Sequence, residues 1–453
     1  MSEEVYQKII AENSFEKMTK KETGLVGVRV DINSPLSIDD IEGKIYKRVI
    51  KSPRMDVCAE TIIRITKMGY VPIIFAHQGR YSDEEGPDES CISLRSHADM
   101  LDSMLPSINV QFQDDPLIRL TEFDFLGLTP GDAVVLENTR MEMIPEIGNM
   151  ENNFEEGRKI FNKVFDPILD YYILDAFPTS HRVNTTMAPV FDNTPVMFGP
   201  EFIKEYIEIY KIKKRLYSAQ PLMFGFGGAK FDKLENMKKI LSRKNVIAFF
   251  GGIPAQLLIR ASGLSLGEAN NKFLEDKGID VAAELLEVLK NGADCYLPID
   301  FTVKIGDKGR TIRTLSIRDL AKYNDGVILD IGEHTVDYFI NEIILSFLSS
   351  PKGQILNNLN GARDFEWLFI QAGPFGKVDE YGLNTLPFMA RLLKKDLNIT
   401  ILGGDSAAFM RTGGFGDAIT LILSGGAALS YLAEGKIKCI DKNPTFSKYF
   451  EKK

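Results

Sequence analysis

Short apolar runs alternate with stretches of helical spacing along the whole chain. In the first half the runs are GVRVDIN (27–33), YVPIIFAH (70–77), DAVVLEN (132–138) and YYILDAF (171–177). In the second half they are PLMFGFGG (221–228), NVIAFFGG (245–252), GVILDIG (326–332), WLFIQAGP (367–374), NITILGGD (398–405) and AITLILSGG (418–426). A strand covered on both faces has no polar side to show, so it reads as a near-continuous apolar run. Such runs separated by helical patterns predict parallel sheets in α/β domains. DCYLPIDFTV (294–303) reads as a further strand whose placement Pro298 disturbs.

Between the halves, GPEFIKEYIEIYKIKKRLYS (199–218) puts Ile203, Tyr206, Ile207 and Tyr210 at helical spacing. That predicts one long amphipathic helix. The expected architecture is two doubly wound, Rossmann-like parallel-sheet domains joined by this helix, with a cleft between them. The expected boundaries are 1–195, then 196–425 with the connecting helix included, then 426–453 returning toward the first domain.

The two halves end their strands differently. First-half runs end in polar and charged residues: Asp31, Asn33, His77, Arg80, Asn138, Arg140, Asp175, His181 and Arg182. Second-half runs end in glycine: Gly227-Gly228, Gly251-Gly252, Gly373, Gly403-Gly404 and Gly425-Gly426. Ligands of open α/β sheets bind outside the carboxyl ends of the strands. The first half therefore offers guanidinium groups to a small anion, and the second offers bare backbone amides and helix N-termini to phosphates.

Composition narrows the partners. With 453 residues, 44% of them hydrophobic, the chain has material for two ordinary domains. A formal net charge of -9 argues against a general nucleic-acid binder, so any basic cluster is local. Cys58, Cys91, Cys295 and Cys439 form no CxxC pair, which fits reduced thiols and a cytoplasmic location. The N-terminus has no apolar signal core, and no run approaches the roughly 18 apolar residues of a membrane helix.

One arginine at a strand end is as a rule a surface residue paired with an acid. Arg29, Arg54, Arg80, Arg140 and Arg182 together suit a molecule with more than one negative charge, because each fork accepts a carboxylate or phosphate through two bonds. His77 and His181, at equivalent places beside arginines, extend that donor set, and Asp31 and Asn33 are placed to receive hydroxyls. GFGGAKFDK (225–233) is not a P-loop, and alone it says little. In LGGDSAA (402–408), Asp405 and Ser406 suit a helix cap; alternatively Asp405 holds magnesium beside phosphate-binding amides. Together the elements describe phosphoryl transfer from a nucleotide to an anionic acceptor.

The motifs VRVDINSPL, FAHQGR, VVLENTR, LDAFPTSHR, FGGAKFDK, LPIDFTV, LDIGEHT, AGPFG, LGGDSAA and SGGAAL…EGK follow the order and spacing of the phosphoglycerate kinase family, from about residue 25 to residue 440. The wording of AHQGR and SHR resembles the archaeal branch. The resemblance implies an ATP-dependent phosphotransferase of glycolysis and gluconeogenesis. It would move a phosphoryl group reversibly between 1,3-bisphosphoglycerate and ADP, giving 3-phosphoglycerate and ATP, with Mg2+. The 3-phosphoglycerate site would be Asp31, Asn33, Arg54, His77, Arg80, Arg140 and Arg182, with Arg29 and His181 in the same basic patch. The nucleotide site would be Gly227, Gly228, Lys230, Lys233, Gly251, Gly252, Gln371, Pro374, Asp379, Gly403, Gly404, Asp405 and Ser406. Arg54 and Lys230 would act in catalysis, and Asp405 would hold the metal. A monomer is expected, with a homodimer as the alternative; no nucleic acid and no membrane are expected as partners.

The departures fall on the nucleotide half. The family asparagine of NGP is Ala372, a ribose-contacting glutamate is Asp379, a threonine is Ser406, and the second lysine after GGAK is displaced by one residue to Lys233. Gln371 stands where the family has tryptophan, and it is expected to substitute for the missing asparagine amide. Two other readings follow from Ala372: a paralogous kinase of another phosphorylated acid, or a 3-phosphoglycerate-binding protein with little turnover.

Overall fold

The computed structural model describes residues 2–450 except 42–43, 83–85, 142, 145–147, 150–153, 219, 229–233, 276, 307–310, 351–366, 378–383 and 396. By contact density the chain divides into one unit of Met1–Glu208 with Gly435–Lys453, and a second of Ile209–Glu434.

The first unit is built on six parallel strands: β1 (Leu25–Val30), β2 (Val71–Phe75), β3 (Asn109–Gln113), β4 (Asp132–Leu136), β5 (Tyr171–Asp175) and β6 (Val196–Phe198). They are ordered β6-β5-β1-β2-β4-β3. All of β2 is buried, as its apolar run requires. Below one face lie Val26, Val28, Ile62, Ile65 and Ile74. Each such side chain removed from water contributes roughly 1.5–3 kcal/mol. The sequence reading finds four of these strands and misses β3 and β6. The reason is physical: β3 is an edge strand with the alternating sequence NVQFQ, and β6 is only three residues long.

Helix α1 (Glu3–Glu12) packs in this unit with the chain's last described segment. Tyr6 Oη donates to Asp441 at 2.7 Å and accepts from the Ile437 amide at 3.0 Å. Helix α2 (Pro53–Thr66) starts with Pro53, whose missing N–H costs nothing in the first turn.

The second unit repeats the plan. Its parallel strands are β7 (Leu222–Phe226), β8 (Val246–Phe250), β9 (Asp294–Tyr296), β10 (Leu368–Ala372), β11 (Asn398–Leu402) and β12 (Thr420–Ile422), ordered β9-β8-β7-β10-β11-β12. A second sheet of three antiparallel strands joins Thr311–Ser316, Asp300–Ile305 and Val327–Ile331. This corrects two expectations. GVILDIG is an antiparallel strand here, and DCYLPIDFTV divides at Pro298 between the two sheets. An apolar run reports burial, and burial is the same in either sheet.

Helix α3 (Pro200–Leu216) follows the expected connecting segment. Its buried side chains include Phe202, Tyr206, Ile209, Ile212 and Leu216, whereas Ile207, expected on the apolar face, is exposed. Asp175, at the end of β5, accepts from the first amides of α3, Glu201 at 2.8 Å and Phe202 at 3.0 Å. Among the described residues no helix is long and apolar enough to cross a membrane.

Candidate active site

The acceptor-side residues of the first unit gather at the carboxyl ends of its four central strands. Asp31 and Asn33 follow β1, His77 and Arg80 follow β2, Arg140 follows β4, and His181 and Arg182 follow β5. Arg54 stands in the first turn of α2.

Direct contacts tie these loops together. Arg54 Nε lies 2.9 Å from Asp31 Oδ2, an ion pair not aligned as a hydrogen bond, and Arg54 Nη1 donates to the Asn33 carbonyl at 2.7 Å. Asp31 Oδ1 takes the Asn33 amide at 3.1 Å, and Asn33 Oδ1 takes the Gly79 amide at 3.2 Å. Arg140 donates to the Gly79 carbonyl. The loops after β1, β2 and β4 therefore share one network, closed by charged groups. Arg80 and Arg182 are exposed at its rim, and His181 is half-buried beside Arg182.

Behind that front lies a buried polar layer of which the sequence reading named only Asn138, as a strand end, and missed Gln78, Ser34 and His97. Gln78 Oε1 accepts from the Ser34 amide at 2.8 Å and from His97 Nε2 at 3.1 Å. Asn138 donates to the carbonyls of Gln78 at 2.9 Å and Ile92 at 2.8 Å, and accepts the Arg140 amide at 3.1 Å. The signal was present: Gln78 directly follows one apolar run and Asn138 ends another, and buried polar groups need partners.

His77 is almost wholly buried. Its pKa is held well below the usual histidine value, first by burial and then by the charges of Arg140, Arg29, Arg182 and Arg54. Each positive neighbour makes a further positive charge costly. The ring is neutral at physiological pH.

In the second unit the glycine loops pack against one another. Gly228 donates its amide to the Pro374 carbonyl at 2.6 Å, Gly252 to Phe375 at 2.7 Å, Gly251 to Phe226 at 2.9 Å and Gly403 to Ile422 at 2.9 Å. A Cβ on Gly227 would stand 2.1 Å from the Pro374 carbonyl oxygen, so the loops after β7 and β10 meet this closely only with glycine. This corrects the expectation of bare amides: those of Gly228, Gly251, Gly252 and Gly403 serve the loops themselves. The start of α4 (Gly252–Ala261) has no amide to spare, because Gly252 donates to Phe375, Ile253 donates to the Gly228 carbonyl at 3.0 Å, and Pro254 has no N–H. The helix starts that offer first-turn amides are those of α5 (Gly404–Thr412) and of the helix Gly426–Glu434. In α5, Asp405 is exposed in the first turn and Ser406 is buried. Pro374 is half-buried in the loop after β10. Lys230, Lys233 and Asp379 lie outside the described residues.

The sequence profile of the phosphoglycerate kinase family matches residues 18–436. The chain belongs to the phosphoglycerate kinase family. The phosphoglycerate kinase of Methanococcus maripaludis is 26% identical over 444 residues, covering 94% of this chain and 96% of its own. That of Sulfurisphaera tokodaii is 30% identical over 337 residues, covering 72% and 75%. The crystal structure of phosphoglycerate kinase from Pyrococcus horikoshii superposes with a TM-score of 0.74 at 24% identity, covering 96% of this chain and all of that one. At that identity the superposition speaks for the fold alone.

Against the phosphoglycerate kinase pattern, Gln371 and Ala372 take on a different meaning. Gln371 is fully buried, and its amide donates to the Gly373 carbonyl. Neighbours on a strand face opposite sides of the sheet, so Gln371 does not point where a side chain at Ala372 would. The expected substitution of one amide for the other is not what the structure holds. Gln371 braces the Gly373 turn from inside.

Proposed function

We propose that the protein is a phosphoglycerate kinase, transferring a phosphoryl group reversibly between 1,3-bisphosphoglycerate and ADP to give 3-phosphoglycerate and ATP. The single observation that carries the acceptor assignment is the network at the carboxyl ends of β1, β2 and β4, with Arg182 beside it after β5.

A phosphorylated three-carbon acid carries a carboxylate and a phosphate. The forks of Arg54, Arg80, Arg140 and Arg182 match both groups geometrically. Asp31 and Asn33 suit its hydroxyl, and neutral His77 supplies an uncharged donor. Such a site would orient the carboxylate oxygen for in-line transfer, and Arg54 would stabilise charge on the moving group. No covalent enzyme intermediate is required. Lys230 is proposed to accompany the transferred group from the nucleotide side, with Lys233 and Asp379 as further contacts to the nucleotide.

Asp405 is the carboxylate that suits Mg2+ in this reading. A first-turn, exposed carboxylate beside a helix N-terminus fits an ion that binds through one or two carboxylates and substrate phosphates. When bound at Asp405, Mg2+ would neutralise negative charge on the nucleotide phosphates. A cytoplasmic location and a monomeric state belong to the same proposal and rest on the sequence.

The test is a coupled assay of the purified protein with 3-phosphoglycerate, ATP and Mg2+. Turnover is expected. Saturable 3-phosphoglycerate binding without turnover would make it a binding protein, and absence of binding would point to a different acid.

A further inference from the structure

Arg29 is the penultimate residue of β1, in register with Phe75 of β2 and Leu174 of β5, at the centre of the first unit's sheet. It has no exposed surface. Its Nε donates to Thr186 Oγ1 at 2.9 Å, its Nη1 to the Val30 carbonyl at 2.5 Å, and its Nη2 lies 2.8 Å from His77 Nδ1. Burying a guanidinium is costly, and a fold retains one only where its donors find acceptors. One of the acceptors chosen here is an imidazole nitrogen.

That choice decides the state of the ring. A guanidinium has N–H groups and no lone pair, and it stays protonated at every pH at which the fold exists. The nitrogen that faces it must therefore present a lone pair. An imidazole with a bare Nδ1 carries its single proton on Nε2. A protonated ring would set two N–H groups against each other beside a buried cation. The opposite nitrogen, Nε2, has no hydrogen-bond partner among the described residues.

We propose that Arg29 is a positioning residue that holds His77 as the neutral Nε2–H tautomer, making Nε2 a fixed donor to an anionic oxygen of the acceptor. Arg29 itself then touches no ligand, although its position in the motif suggests one. The claim that the anion is 3-phosphoglycerate rests on the function proposed above; the tautomer does not. The charged groups that bear on His77 are Arg140, Arg29, Arg182 and Arg54, all cations. Acceptor binding is thus expected without proton uptake at this ring.

The experiment is nitrogen NMR of the histidine rings in the full-length, 15N-histidine-labelled protein. The chain has four histidines, and a His77→Asn sample assigns the signal. The Nε2–H pattern is expected for His77, unchanged from about pH 5.5 to 8. Arg29→Met should release the tautomer and raise the KM for 3-phosphoglycerate about tenfold with a smaller change in kcat. Arg29→Gln, which keeps an N–H donor, should restore the tautomer and part of the affinity. A wild-type ring that is cationic or protonated on Nδ1 overturns the proposal. So does a folded Arg29→Met protein with the Nε2–H pattern and an unchanged KM. If Arg29→Met does not fold, the wild-type spectrum decides. The Nε2–H pattern in a protein inactive on 3-phosphoglycerate would sink the acceptor reading and leave the tautomer assignment standing.

Discussion

The side-chain amide of Gln371 donates to the carbonyl of Gly373, two residues ahead on the same strand-to-loop junction. Its Oε1 is buried without a hydrogen-bond partner among the described residues, and a Cβ on Gly225 would stand 2.2 Å from it. Gln371 thus trades an unsatisfied acceptor for a brace on the loop that interlocks with Gly227 and Gly228.

Replacing Gln371 by leucine removes the brace and the orphaned acceptor together. Stability should change by less than about 1 kcal/mol, because an unsatisfied buried group is lost along with a bond. The turn should loosen, and kcat/KM for ATP should fall about tenfold with the KM for 3-phosphoglycerate unchanged. Ala372→Asn in the same background should not recover the loss, since its side chain faces the other side of the strand. Steady-state kinetics with each substrate varied checks this; unaltered ATP kinetics in Gln371→Leu would refute the brace.

Arg54 joins Asp31 and the Asn33 carbonyl at the front of the acceptor site. Arg54→Ala should lower kcat by about 10²-fold if the guanidinium stabilises charge on the moving group. Urea stability should move by no more than about 1–2 kcal/mol. A variant with normal kcat would assign Arg54 to loop geometry alone.

Asp405→Asn keeps the shape of the first turn of α5 and removes its charge. The Mg2+ concentration for half-maximal rate should rise about tenfold or more, because Mg2+ depends on the few carboxylates it contacts. The KM for 3-phosphoglycerate should not move. An unchanged Mg2+ titration would remove Asp405 from the metal site.

His97 makes stability depend on pH. Burial pulls its pKa from 6.5 to about 4. The unfolded chain takes up a proton near pH 6.5 that the folded one refuses. The contribution is therefore full above that pH and is lost as pH falls toward 4. Between about pH 7 and pH 5 the loss is ~2 kcal/mol. His97→Gln keeps a donor for Gln78 and cannot titrate, so its urea stability should fall by that much less over the same interval. Equal losses in both proteins would place the titration elsewhere.

Several features were settled by residue type and local order. Strands buried on both faces have to be apolar along their length, so the central strands of both sheets could be read directly. Anions are bound by arginine, lysine, histidine and backbone N–H, so His77, Arg140 and Arg182 at strand ends, and Arg54 at a helix start, stood out. Other features depended on which chain segments meet. Edge strand β3 and short β6 escaped because half-exposure and brevity leave no apolar run. Val327–Ile331 joined an antiparallel sheet because burial does not record strand direction. Arg29 looks like its fellow arginines in sequence, yet three distant or neighbouring acceptors draw it behind His77. Gln371 looks like a replacement for an amide one residue away, yet the strand's alternation turns it inward. Local chemistry is written in single residues; orientation comes from partners far along the chain, and only the tertiary structure brings those together.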